Sequence, residues 1–216
     1  MVGNALSRGQ PVIEAMLNGG IPYTSGPEWL GRHILQSQWV LAVSGTHGKT
    51  STASMLAWIL EQAGLQPGFL IGGIPINFGL SARLGGGDFF VVEADEYDSA
   101  FFDKRSKFIH YLPEVAIVNN IEFDHADIFD DLKAIKRSFG HMMRLIPDNG
   151  LLLLNGDDQN CLDVYATEGH APGKTVGFGE SCDARIKDAD YGVDETSFTL
   201  SLIHISEPTR PERIGY

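Results

Sequence analysis

The stretch Ser44-Gly45-Thr46-His47-Gly48-Lys49-Thr50-Ser51 places a lysine and two hydroxyl residues directly after a pair of glycines, the residue types that cradle a phosphate. Glycine lets the backbone turn tightly and approach an anion. The unpaired N–H groups and dipole of a helix beginning there favour negative charge. Lys49 would then reach the terminal phosphates of a nucleotide and the Thr50 hydroxyl would ligate Mg²⁺, with Gly45, Thr46, His47, Gly48 and Ser51 lining the loop. Val43 stands where the longer pattern G-x-x-x-x-G-K-[ST] has its first glycine, so the loop is the shorter Gly-Thr-His-Gly-Lys-Thr form. His47 either contacts nucleotide or shapes the turn.

Two acidic clusters supply the oxygen ligands that the hard cation of an ATP–Mg²⁺ complex needs: Glu93-Ala94-Asp95-Glu96-Tyr97-Asp98 and Glu122-Phe123-Asp124-His125-Ala126-Asp127. Glu93 is the preferred metal ligand, because it ends an apolar run where an unpaired carboxylate is costly to bury. Glu96 and Asp98 read more readily as members of a solvated acidic turn. His125 either coordinates a second cation, orients phosphate and water, or sits on the surface. The one dense basic run, Lys104-Arg105-Ser106-Lys107, either grips an anionic substrate or forms a solvated loop face.

Positioning these groups requires strands that end at the loop and at both clusters. Continuous apolar runs predict strands at 39–44, 89–94, 115–119, 151–154 and 174–178, and helical spacing predicts helices at about 48–63 and 131–145. The second helix carries Leu132, Ile135, Phe139, Met142, Met143 and Ile146 near one face, and Pro147 and Asn149-Gly150 stop it. Alternation of this kind predicts an α/β fold with a mostly parallel, doubly wound sheet, whose ligands collect beyond the carboxyl ends of the strands. Residues 1–38 read as short helices between Gly/Pro turns and as a remnant of a preceding domain; 39–200 read as the nucleotide-binding unit, and 201–216 as a tail foreign to it.

Composition narrows the class. The 216 residues, 43% hydrophobic, suffice for a packed core, and a net charge of −12 argues against a nucleic-acid partner, which needs clustered Lys and Arg. Affinity for phosphate must therefore be local. Cys161 and Cys182 lack metal-ligand spacing and disulfide density, and no apolar run approaches 18 residues, so a cytoplasmic protein with no membrane partner is expected.

The loop at 45–50, Glu93-Ala94-Asp95-Glu96, and Asn119-Asn120-Ile121-Glu122-Phe123-Asp124-His125 together, in that order, resemble the central ATPase domain of the Mur ligases. Gly3-Asn4-Ala5-Leu6-Ser7-Arg8-Gly9, Ser25-Gly26-Pro27-Glu28-Trp29-Leu30 and the run through Phe101-Phe102-Asp103-Lys104-Arg105-Ser106-Lys107-Phe108 resemble the muropeptide-recycling branch of that family. The resemblance implies an ATP- and Mg²⁺-dependent ligase joining UDP-N-acetylmuramate to the tripeptide L-Ala-γ-D-Glu-meso-diaminopimelate through an acyl phosphate. The alternatives are the alanine-adding ligase of the same family, or a phosphate-loop module that binds nucleotide without making amides. By the same resemblance Lys49, Glu93 and His125 are catalytic, and Thr50, Glu93 and His125 hold metal. The family's carbamylated lysine has no clear counterpart, Lys133 and Lys136 being nearest, and the resemblance spans only part of a three-domain enzyme, which implies a fragment inactive alone.

Overall fold

The computed structural model describes residues 1–124, 129, 131–193 and 195–202. In chain order the helices are α1 (Pro11–Asn18), α2 (Gly26–His33), α3 (Lys49–Gln62), α4 (Leu132–Met143) and α5 (Gln159–Glu168). The strands are β1 (Trp39–Ser44), β2 (Gly68–Leu70), β3 (Ala82–Arg83), β4 (Phe89–Glu93), β5 (Asp98–Ala100), β6 (Asp103–Ser106), β7 (Val115–Val118), β8 (Leu151–Asn155), β9 (Gly173–Gly177), β10 (Ala184–Tyr191) and β11 (Thr196–Leu202). Short 3-10 turns occupy Leu35–Ser37 and Lys107–His110.

Nine of these strands form one sheet in the order β11-β10-β9-β8-β7-β1-β4-β2-β3, parallel from β2 through β10 with an antiparallel strand at each edge. The alternation that a strand imposes on its side chains divides the core. Val40 and Ala42 of β1, Phe90 and Val92 of β4, and Ala116 and Val118 of β7 face the cluster under α4 and α5. Val43 and Val91, with Leu41 and Ile117 beside them, face the cluster under α3. Helices thus cover both faces, as an apolar parallel sheet requires. The α4 stripe of Ile135, Phe139, Met142 and Met143 is fully buried, and Asp131 caps the helix by accepting from the Ala134 N–H at 2.7 Å.

The small β5–β6 hairpin, α5 and the β10–β11 pair were not apparent as regular runs. Its strands are short and mostly polar, and the hairpin closes on its own hydrogen bonds, Ser99 Oγ donating to the Arg105 carbonyl at 2.9 Å. In β10 and β11 most side chains are exposed, so no apolar period marks them. Ser201 and Leu202 pair with Arg185 and Ala184; residues 203–216 lie outside the described residues.

Residues 1–38 dock on the unit that follows. Ser25 caps α2 by accepting from Glu28 N–H at 3.2 Å, and Tyr23 stacks edge-on against Phe102 at 4.8 Å. At Gly31 a Cβ would lie 2.1 Å from the His110 carbonyl oxygen, so glycine permits α2 to sit on the 3-10 turn. Among the described residues no helix is long and apolar enough to cross a membrane.

Candidate functional site

The chain turns from β1 into α3 through Gly45 (φ 134°) and Gly48 (φ 79°), conformations that favour glycine, and Gly48 serves as the N-cap of α3. The first intrahelical bond runs from Thr52 N–H to the Gly48 carbonyl, which leaves the amides of the first turn without helical partners, as at the start of any helix. They border a cavity of about 500 Å³ lined by Thr46 through Ser51, Glu93, Asp95, Tyr97 and Asp124.

A pair of asparagines at the end of β7 fixes the loop. Asn120 accepts from Thr46 N–H through its carbonyl (3.0 Å) and from His47 N–H through Oδ1 (2.7 Å). Asn119 Nδ2 donates to the His47 carbonyl (3.3 Å) and to Thr52 Oγ1 (3.1 Å). A Cβ on Gly45 would stand 3.0 Å from both Asn119 Cβ and Asn120 N. The backbone of His47 is therefore a structural part of the turn, while its ring is half exposed, 3.8 Å from Glu122. Neither asparagine stood out in the sequence as part of the loop; amides following an apolar strand that ends beside a glycine turn are the signal that could have found them.

Thr50 and Glu93 converge at the cavity. Thr50 Oγ1 donates to Glu93 Oε1 at 2.9 Å, and Gly72 N–H donates to Glu93 Oε2 at 2.7 Å. A hydroxyl and a carboxylate beside an open anion seat are the protein share of a Mg²⁺ site, because this ion takes one or two carboxylates and completes its shell with phosphate oxygens and water. Among the described residues no group of three or more His, Cys, Asp or Glu could hold a metal ion. Ser51, the next residue, stands in the first turn of α3. His125 lies outside the described residues.

Lys49 lines the cavity but its ammonium is already engaged. Its Nζ donates to the carbonyls of Gly45 (2.7 Å) and Thr46 (3.1 Å) and to both carboxylate oxygens of Glu96 (3.2 and 3.1 Å). Glu96 is 2% exposed, so the solvated turn expected for it is replaced by a buried ion pair with the loop lysine. Burial raises the Glu96 pKa above its ordinary value, and Lys49 offsets only part of that rise.

The basic run is neutralised residue by residue. Lys104 pairs with Asp98 at 2.7 Å, Arg105 with Asp103 at 2.9 Å and Lys107 with Asp95 at 2.9 Å. Asp103, forked by Arg105 and touched by His110 Nε2 at 2.8 Å, is pulled down to a pKa of about 2, chiefly by the Arg105 hydrogen bonds. Lys107 and Asp95 face a second cavity of about 510 Å³, which shares Glu93 and Asp95 with the first and reaches Gly3, Asn4, Ser99 and the buried Tyr111. Burial, with Asp95 and Glu93 nearby, drives the Tyr111 hydroxyl far up from its usual pKa, so it stays protonated. Lys136 is paired with Asp163 of α5 at 3.0 Å.

Residues 43–210 match the family model described as the Mur ligase middle domain. The UDP-N-acetylmuramate–L-alanyl-γ-D-glutamyl-meso-2,6-diaminoheptandioate ligase of Haemophilus influenzae is 62% identical over 166 residues, covering 77% of this chain and 37% of that protein. Its Escherichia coli K12 counterpart is 61% identical over 166 residues, covering 77% and 36%. A crystal structure of the UDP-N-acetylmuramate:L-alanyl-γ-D-glutamyl-meso-diaminopimelate ligase of Neisseria meningitidis superposes with a TM-score of 0.86 at 51% identity, over 93% of this chain and 63% of that one. The chain thus spans little more than a third of the length of the curated relatives it matches.

Proposed function

The chain belongs to the Mur ligase family through its middle domain, and from that premise we propose that it is the ATP-binding part of a ligase joining UDP-N-acetylmuramate to L-alanyl-γ-D-glutamyl-meso-diaminopimelate. The observation that carries the nucleotide half of this reading is the convergence of Thr50 and Glu93, 2.9 Å apart, beside the amides of the phosphate loop. Identity above 60% to ligases bearing that substrate name carries the other half. A role in peptidoglycan recycling follows from those substrates, and a cytoplasmic location follows from the ATP and UDP-sugar it would draw on.

In this reaction a carboxylate oxygen of the muramate attacks the γ-phosphorus of ATP, ADP departs, and an acyl phosphate forms. The tripeptide amine then attacks the acyl carbon and loses a proton as inorganic phosphate leaves. The loop amides and Lys49 bind and neutralise the phosphates, which is the largest protein contribution to phosphoryl transfer. Mg²⁺, held by Thr50 and Glu93 with His125 as a further candidate ligand, would supply charge neutralisation between phosphate groups. The cavity at Gly3, Asn4, Ser99 and Lys107 shares Glu93 and Asp95 with the phosphate cavity, so a carboxylate seated there would approach the γ-phosphate.

The test has two levels. This 216-residue chain should bind a fluorescent ATP analogue in a Mg²⁺-dependent manner, and Thr50→Val should remove the Mg²⁺-dependent part of the affinity. The complete gene product should release phosphate from ATP with UDP-N-acetylmuramate and tripeptide, and not with free alanine. Release with alanine in place of tripeptide would transfer the assignment to the alanine-adding ligase. Nucleotide binding without amide product would reduce it to a binding module.

A further inference from the structure

We propose a second anion site, separate from the phosphate loop, in the cavity between β6 and α4, with a small phosphate monoester carrying an apolar body as its ligand. The cavity has a volume of about 520 Å³, within the range of small-molecule pockets, and shares no lining residue with the two cavities described above. Ile109, Phe129, Ala134 and Leu145 supply apolar surface. Lys104 and Arg105 of β6 and Arg137, His141 and Arg144 at the α4 end supply the polar rim, and among the described residues no Asp or Glu lines it.

The two kinds of rim cation have different parts. Lys104, Arg105 and Arg144 are each held by a carboxylate outside the lining, Asp98, Asp103 and Glu168 respectively, so they are fixed in place and largely neutralised. Arg137 and His141 have no ion-pair or hydrogen-bond partner among the described residues. One helical turn apart, they share a face of α4, where a guanidinium and an imidazole N–H can both donate to one anion. A chain of net charge −12 places four of its 16 Lys and Arg on this one rim. Ser106 and Ser138 share one hydrogen bond of 2.7 Å at the wall, which leaves one hydroxyl proton for an acceptor.

A phosphate dianion matches a guanidinium fork plus an imidazole N–H better than a single carboxylate does, because it offers three oxygens and two charges. The phosphoryl head would meet Arg137 and His141. The rest of the volume, walled by Ile109, Phe129 and Leu145, would take the apolar body.

The experiment is a titration of the 216-residue chain with phenyl phosphate, followed by amide chemical shifts, in wild type, R137Q/H141Q and K49A, with R137K as the milder variant. Saturating shifts in β6 and α4 are expected, at least about tenfold weaker in R137Q/H141Q, severalfold weaker in R137K, and unchanged in K49A. Inorganic phosphate should bind more weakly than phenyl phosphate. Shifts confined to residues 45–51, shifts at α4 that survive R137Q/H141Q, or equal affinity for inorganic phosphate would overturn the proposal. The K49A arm separates this site from the nucleotide site, so neither assignment depends on the other.

Discussion

Replacing Lys49 by methionine removes the ammonium from a pocket where Glu96 is 2% exposed, and the consequence depends on pH. At 3.1 Å the pair has a gross attraction of about 5 kcal/mol at an effective dielectric constant near 20, and breaking such buried pairs costs about 3–5 kcal/mol. A ceiling applies, because Glu96 can escape by taking up a proton. Its pKa is already raised from 4.5 by burial, and loss of Lys49 raises it further. Holding a carboxyl protonated at pH 7 against a reference of 4.5 costs about 3.4 kcal/mol, so K49M should lose about 2–3 kcal/mol there. A folded pKa above the unfolded one means that stability is fully present below 4.5 and lost as pH rises toward the folded value. The deficit of K49M should therefore shrink as pH falls from 7 toward 5, by at most about 1.4 kcal/mol for each pH unit.

Urea unfolding of wild type, K49M and K49M/E96Q at pH 5, 6 and 7 measures this. The double variant should recover to within about 1 kcal/mol of wild type and lose the pH slope, since a neutral amide needs no counter-charge. Neither variant should bind Mg-ATP, because the lysine proposed to meet the phosphates is missing in both. A K49M protein as stable as wild type across this range, or a double variant no better than the single, would refute the ion-pair reasoning. Wild-type nucleotide affinity in the double variant would refute the role of Lys49.

Three further outcomes follow from other contacts. Asp103, held near a pKa of about 2 against an ordinary 3.8, should contribute about 2 kcal/mol above pH 4 that fades as pH falls toward 2; Asp103→Asn should flatten acid unfolding in that window. Gly31→Ala sets a Cβ 2.1 Å from the His110 carbonyl, and limited proteolysis should then cut within α1 and α2 while Mg-nucleotide binding by residues 45–51 persists. Gly45→Ala meets both a positive φ of 134° and the Asn119–Asn120 wall; it should cost about 1–3 kcal/mol in thermal unfolding and abolish nucleotide binding. Gly64→Ala, with a positive φ of 75° but open space around it, should cost less and leave binding intact.

What the sequence revealed and what it concealed divide along burial. Each expected strand lies within a residue of its observed place, because β1, β4, β7 and β8 are nearly continuous apolar runs buried between two helix layers. The α/β class, α3, α4 and the meeting of Thr50 with Glu93 follow from strand ends beside a glycine turn. The β5–β6 hairpin and β10–β11 carry no apolar period, the first because its strands are short and mostly polar, the second because most of its side chains are exposed, and backbone pairing orders both. Glu96 escaped for a different reason: one acidic residue among four in a run carries no local mark of being the buried one. Its partner lies 47 positions away, and only the β1–β4 pairing brings the two together.

The pattern of charge bears directly on how an anionic chain holds a polyanion. Lys49 is engaged by Glu96, and Lys104, Arg105 and Lys107 by Asp98, Asp103 and Asp95. None of these four cations is offered to a phosphate at the outset. The standing attraction at the loop comes from backbone amides and the α3 dipole, which are fixed by Asn119 and Asn120 and need no counter-ion. An ammonium has three protons, so Lys49 can exchange its carbonyl contacts for phosphate oxygens while keeping Glu96, and the buried carboxylate never loses its charge partner. On this account a cation held by Thr50 and Glu93 would offset phosphate charge that Lys49, half committed to Glu96, does not. Nucleotide affinity should then depend on Mg²⁺ more steeply than in a phosphate loop whose lysine is unpaired, and E96Q, which frees the lysine's charge, should lessen that dependence. Titrating ATP with and without Mg²⁺ in wild type and E96Q decides it: an equal Mg²⁺ dependence in both would show that Glu96 does not draw on the charge of Lys49.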